Sequence, residues 1–117
     1  MVNSIDKSSI AVVIHEKLKH REDITSTLLQ NVLIQSGSML TKNSYLFSCI
    51  EVASGQISGL IVLGVDYRHL CAGLLIVQNA GGKVTDENGD KFSSKSEICI
   101  VSNGLIHDDL LAIIAQQ

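Results

Sequence analysis

The sequence predicts an α/β domain, a central β-sheet covered by helices. Three observations carry this. Short β-branched runs alternate along the chain with segments of helical apolar periodicity. Gly, Ser, Asn and Asp, with no proline at all, mark the breaks between them. Apolar residues reach 45% and charged residues 18%, a globular composition that excludes disorder. At 117 residues one domain, 1–117, is expected. Aromatics are only 3%, so aliphatic side chains must build the core.

Taken in order, Ser9 to Ile14 reads as a buried strand. A helix follows, with Ile24, Leu28 and Val32 and also Leu29 and Leu33 at i, i+4 spacing. Glu22 and Asp23 stand at its start, where the helix dipole favours them. Ile34 to Leu40 is expected as a second strand, broken by Gly37. A second helix is expected from near Asn43 to Ser54, capped by Thr41, Asn43 or Ser44 and ended by Gly55. Its expected inward face is Leu46, Phe47, Ile50 and Ala53. Ile57 to Leu63 reads as a buried strand. Tyr67 to Asn79 reads as a third helix, with Leu70, Leu74 and Val77 on one side and Gly81-Gly82 as its stop. Lys83 to Asp86 and Lys91-Phe92 read as a hairpin around Asn88-Gly89. Ile98 to Val101 is another buried strand, and a last helix carries Leu105, Leu110, Leu111 and Ile114.

Several classes of function drop out. The net charge of −3 and the single interrupted cluster of Lys17, Lys19, His20 and Arg21 argue against nucleic-acid binding. No apolar run reaches the ~20 residues a membrane span needs, and the first ten residues lack a secretory core. A cytoplasmic protein is expected. Cys49, Cys71 and Cys99 are odd in number, form no C-x-x-C pair and sit among aliphatic residues, so free buried thiols are expected. Asp86, Asn88, Asp90 and Glu97 match part of a calcium-loop spacing, but Lys91 occupies the position that needs glycine. His15, His20 and His107 share no metal-binding spacing, and no G-x-S-x-G elbow is present.

Three segments carry a more specific signal. They are Val52-Ala-Ser-Gly-Gln-Ile-Ser-Gly59, then Cys71-Ala-Gly-Leu-Leu-Ile-Val-Gln-Asn-Ala-Gly-Gly-Lys-Val-Thr-Asp86, then Ile100-Val-Ser-Asn-Gly-Leu-Ile-His-Asp-Asp-Leu-Leu111. Together they resemble the C-terminal half of the inositol monophosphatase family, with its V-A-x-G-x-x-D-G, W-D-x-A-A-G and E-A-G-G segments. The resemblance runs without a gap from Asn43 to Asp86 and is looser before Leu40. It implies a mixed β-sheet flanked by helices. It also implies hydrolysis of phosphate monoesters by bound Mg²⁺, which activates a water and neutralises the phosphate.

The same resemblance shows departures. The family's N-terminal half supplies most carboxylate ligands, including an Asp-Pro-x-Asp-Gly segment that this proline-free sequence lacks. An N-terminal metal-binding domain is therefore expected to be absent, and a partner supplying it, in cis or in trans, is implied. The family's Trp-Asp pair falls on Arg68 and His69, and imidazole suits softer metals than Mg²⁺. His69 is thus a candidate metal ligand or an outward-facing helix residue. Asp66, one turn earlier, is a candidate ligand or the helix cap. Asn43 and Ser44 match the start of a helix that touches substrate in the family, so they are candidates for anion binding or simple capping. The acidic residue that contacts substrate in inositol-specific members falls on Val62, which gives inositol no support. No catalytic residue is assigned. Two readings result: half of a phosphatase, inactive alone, or a non-catalytic interaction module that forms a homo-oligomer.

Overall fold

A computed structural model describes residues 3–14, 22–41, 44–64, 67–93 and 95–115, with side chains at 22–25, 41 and 67–69 outside the description. Among the described residues, five strands and four helices follow a short 3₁₀ turn at Ile5–Lys7. They are β1 (Ser9–Ile14), α1 (Glu22–Gln35), β2 (Ser38–Thr41), α2 (Tyr45–Ala53), β3 (Gly59–Leu63), α3 (Tyr67–Asn79), β4 (Lys83–Thr85), β5 (Ile98–Ser102) and α4 (His107–Ala115). The sheet order is β2-β1-β3-β5-β4. β1 is parallel to both β2 and β3, whereas β5 is antiparallel to β3 and β4. The sheet is therefore mixed, as expected.

The β-branched runs form the inner strands because both faces of the sheet are covered. A strand buried on both sides cannot alternate with polar residues. Ala11, Val13, Leu60, Val62, Cys99 and Val101 point to the α2–α3 side. Ile10, Val12, Ile61, Leu63 and Ile100 point to the α1–α4 side. Two apolar layers thus share one sheet.

β1, α3 and β5 stand where periodicity puts them, and β3 fills the last five residues of its expected span, starting at Gly59 rather than Ile57. At the end of α3, Gly82 N–H donates to the Val77 carbonyl and Gly81 N–H to that of Gln78. This Schellman closure needs a left-handed residue, and Gly81 has φ +89°.

Four expectations need correction. Ile34 belongs to α1, not to a strand, and β2 begins only at Ser38. The chain turns at Gly37, whose N–H, like that of Ser38, donates to the Ser8 carbonyl. A Cβ at Gly37 would lie 2.9 Å from the Asp6 carbonyl oxygen, so a larger residue could not pass there. α1 buries Leu28 and Val32 but leaves Leu33 and Ile34 exposed.

The apolar face expected for α2 is turned outward. Ser48, Cys49 and Val52 are buried instead, while Leu46, Phe47 and Ile50 face out. Small residues face inward because α3 approaches closely. A Cβ on Gly73 would lie 2.9 Å from Cys49 Sγ. The buried Ser48 hydroxyl is satisfied by donating to the Ser44 carbonyl at 2.8 Å.

The 83–92 hairpin does not form. β4 pairs with β5, and Lys91-Phe92 is not a strand. Asp86 Oδ1 accepts from the Asn88 and Asp90 N–H groups, both at 2.9 Å. That side chain satisfies the turn locally, and Phe92 is then free to enter the core beside α2 and α3. Among the cysteines, Cys49 and Cys99 are buried but Cys71 is exposed, contrary to expectation, and none of the three is in a disulfide. No helix among the described residues is long and apolar enough to cross a membrane.

Candidate functional site

The parallel strands define where a site can stand. β2 and β3 leave β1 on opposite sides, so the chain direction switches at β1. The crevice beyond the carboxyl ends at such a switch is the usual ligand position in α/β sheets. Thr41 is level with Val12, and Leu63 is level with Ile14. The connections from β2 into α2 and from β3 into α3 therefore leave from one edge of the sheet. All four candidate residues fall on these connections or on the helix starts that follow.

Ser44 is the best defined of them. It caps α2 with extended backbone, φ −112° and ψ 108°, and its Oγ accepts the Phe47 N–H at 3.2 Å. Its carbonyl accepts both the N–H and the hydroxyl of Ser48. The Ser44 side chain is thus engaged in capping. His69 lies in the first turn of α3, with its side chain outside the description. Asn43 and Asp66 lie outside the described residues. Among the described residues, no group of three or more His, Cys, Asp or Glu side chains stands together as a metal site. The described donors by themselves do not fit a magnesium ion.

One polar cluster escaped the sequence reading. His107, the first residue of α4, is 1% exposed. Its Nδ1 and Nε2 lie 2.7 Å from Ser102 Oγ and from Thr85 Oγ1. The proton positions follow by elimination. Thr85 donates its only hydroxyl hydrogen to the Asp86 carbonyl, so it must accept from Nε2–H. Nδ1 then accepts from the Ser102 hydroxyl, whose oxygen accepts the Gly104 N–H at 3.0 Å. Every group gives and takes once, and the ring is neutral. Burial pushes the His107 pKa down to about 4, Lys83 adds to the effect and Asp108 opposes it. The cluster pins α4 to β4 and β5. It holds no nucleophile beside a base on an open surface, so its role is structural. Only its Ser-Asn-Gly spacing to the helix hinted at it.

The buried thiols are inert for the same reason. Burial raises Cys49 to about 11. Cys99 is raised well above its ordinary value, by burial first and then by Cys49 and Asp86. Two open pockets are lined by described residues. One of about 230 Å³ lies by Val52, Val77 and Asn103. The other, about 400 Å³, lies by Cys71, Leu75, Lys91 and Phe92. Neither includes a candidate residue.

The profile of the inositol monophosphatase family matches residues 2–117. The chain belongs to the inositol monophosphatase family. Over 92 residues it is 28% identical to the fructose-1,6-bisphosphatase/inositol-1-monophosphatase of Thermotoga maritima. That stretch covers 79% of this chain and 36% of the relative. Over 46 residues it is 50% identical to the chloroplastic phosphatase IMPL1 of Arabidopsis thaliana, covering 39% of this chain and 12% of that protein. The inositol monophosphatase from Anabaena superposes with a TM-score of 0.91 at 21% identity, over 98% of this chain and 46% of its own. The chain thus spans less than half the length of these family members, and the inositol monophosphatase fold is shared along nearly all of it.

Proposed function

We propose that this chain supplies the C-terminal half of a magnesium-dependent phosphomonoesterase and does not hydrolyse phosphate esters alone. One observation carries the reading. The family profile matches from end to end, yet the chain covers 36% of the Thermotoga relative and its described residues gather no metal-ligand set. A hard cation such as Mg²⁺ needs several oxygen donors. A second segment, in cis or in trans, must bring the carboxylates. The carboxyl edge around β1 is where the two parts would meet. There Asp66 and His69 would face the metal, and the backbone at Asn43 and Ser44 would receive the phosphate. Bound magnesium supplies the activation of water and the neutralisation of charge. Three cysteines without a disulfide fit a cytoplasmic setting.

The test is phosphate release from a generic monoester by the purified chain, with Mg²⁺ and with EDTA. No magnesium-dependent release is expected. EDTA-sensitive turnover that follows the protein through purification overturns the claim that this half is insufficient.

A further inference from the structure

We propose that the Ser102–His107 hydrogen bond is an acid-sensitive latch: a second proton on the ring releases the Gly104-Leu105-Ile106 turn, the first turn of α4 and the edge strand β4, while the rest of the sheet stays folded. The geometry makes this bond the vulnerable one. Nδ1 lies 2.7 Å from Ser102 Oγ and carries no hydrogen in the neutral ring. A proton placed there sets two donors face to face. The Ser102 hydroxyl must then turn its hydrogen elsewhere. Ser102 and His107 are 0% and 1% exposed, so bulk water cannot take it. Thr85 cannot help, because it already accepts from Nε2–H and gives its own hydrogen to the Asp86 carbonyl. An unplaced hydroxyl hydrogen beside a buried charge is costly. The surrounding charges do not offset it. Lys83 on β4 opposes the second proton, and Asp108 on α4 favours it less strongly. Asp86 is engaged in its own turn, with the Asn88 and Asp90 N–H groups. β5, the 104–106 turn and the described side chains of α1 bear no charge.

The strain falls at a corner that can open alone. Ser102 itself is fixed in the ladder, between Gly59 of β3 and Lys83 of β4. Asn103 N–H is tied to the Ser58 carbonyl at 3.0 Å. Beyond that point the hold is weaker. Gly104 N–H rests on the same Ser102 Oγ, so a rotation of that side chain loosens both bonds. β4 has three residues and a ladder on one side only. An opening that frees the ring restores its ordinary proton affinity, as complete unfolding does. Acid therefore favours both by the same factor, and the smaller opening, which costs less, is populated first. The ring's pKa is about 4 when closed and 6.5 when freed, so that factor is about twentyfold between pH 7 and pH 5. The inference goes beyond the anchoring role of the cluster and does not depend on the phosphatase reading.

Amide hydrogen exchange followed by NMR between pH 7 and pH 5 tests it, with rates expressed as protection factors so that the intrinsic effect of pH is removed. The Leu110 amide, which donates to the Ile106 carbonyl, reports the start of α4, and the β4 amides report the edge. Their protection should fall about twentyfold from pH 7 to pH 5, while that of β3 stays level. His107→Gln should abolish the fall. Ser102→Ala removes the opposing donor, so the ring should titrate at a higher pH and the fall should be smaller. Protection in the unaltered chain that does not change overturns the proposal. So does a fall shared equally by β3, which means unfolding of the whole chain, or one that persists in His107→Gln. A fall in Ser102→Ala as large as in the unaltered chain places the strain away from this bond and overturns the latch as well.

Discussion

Ser44 shows what one side chain does at the start of a helix. Its Oγ takes the Phe47 N–H, one of the amides that α2 cannot satisfy internally. Ser44→Ala should lower stability by about 1 kcal/mol in urea unfolding. Gly73 shows the opposite case, a residue chosen for having no side chain. Gly73→Val would drive new atoms into Cys49, whose Sγ lies 2.9 Å from the missing Cβ. A loss of about 1–3 kcal/mol is expected, with α2 displaced from α3. The thiols offer a third check. Cys71 is exposed, while Cys49 and Cys99 are buried with raised pKa values. A thiol reagent at neutral pH should label one cysteine per native chain, and all three only in denaturant.

Among the elements, α4 depends most on a single polar anchor. His107 is held neutral between Thr85 and Ser102. Its pKa is about 4 in the fold, against 6.5 ordinarily. Below pH 6.5 the unfolded chain takes up a proton that the folded chain refuses until about pH 4. Stability from this residue is therefore full above pH 6.5 and is lost as the pH falls toward 4, by roughly 3 kcal/mol in all. Comparing the pH dependence of unfolding with that of His107→Gln isolates the effect, because Gln does not titrate. Equal slopes for the two proteins would refute the neutral-histidine assignment. The β4 strand is only three residues long and lies at the sheet edge, so this anchor adds to the short ladder with β5 that holds it.

At the scale of the whole molecule, protection should follow position in the sheet. β3 lies between β1 and β5 and is buried at every residue. Its amides should exchange slowest with solvent, and those of the edge strands β2 and β4 fastest, as hydrogen exchange can read directly. Both helical layers leave aliphatic side chains exposed, Leu33 and Ile34 on α1 and Leu46, Ile50, Leu75 and Ile76 on α2 and α3, while α4 adds the exposed acids Asp108 and Asp109.

How much of this was legible follows from how each signal is encoded. The buried strands announced themselves because a segment covered on both faces must be apolar at every position. α3 was legible to the residue because Gly81 is needed where the helix closes. Family membership was legible because glycines and small residues at close approaches sit at fixed spacing. The inward side of α2 was not: its sequence is apolar nearly all round, and only the approach of α3 at Gly73 decides which side is buried. The pairing of β4 was hidden because Asp86 satisfies its turn locally and leaves the ladder to β5, a dozen residues on. The His107 cluster was hidden because Thr85, one of its members, lies 22 residues before the histidine. The strands, the breaks and the family thus follow from the sequence by itself, through burial and backbone geometry that act locally. Which helical face meets water, which strand closes the sheet edge and which histidine is buried neutral were decided only by tertiary packing, since each depends on a partner that the chain supplies from elsewhere.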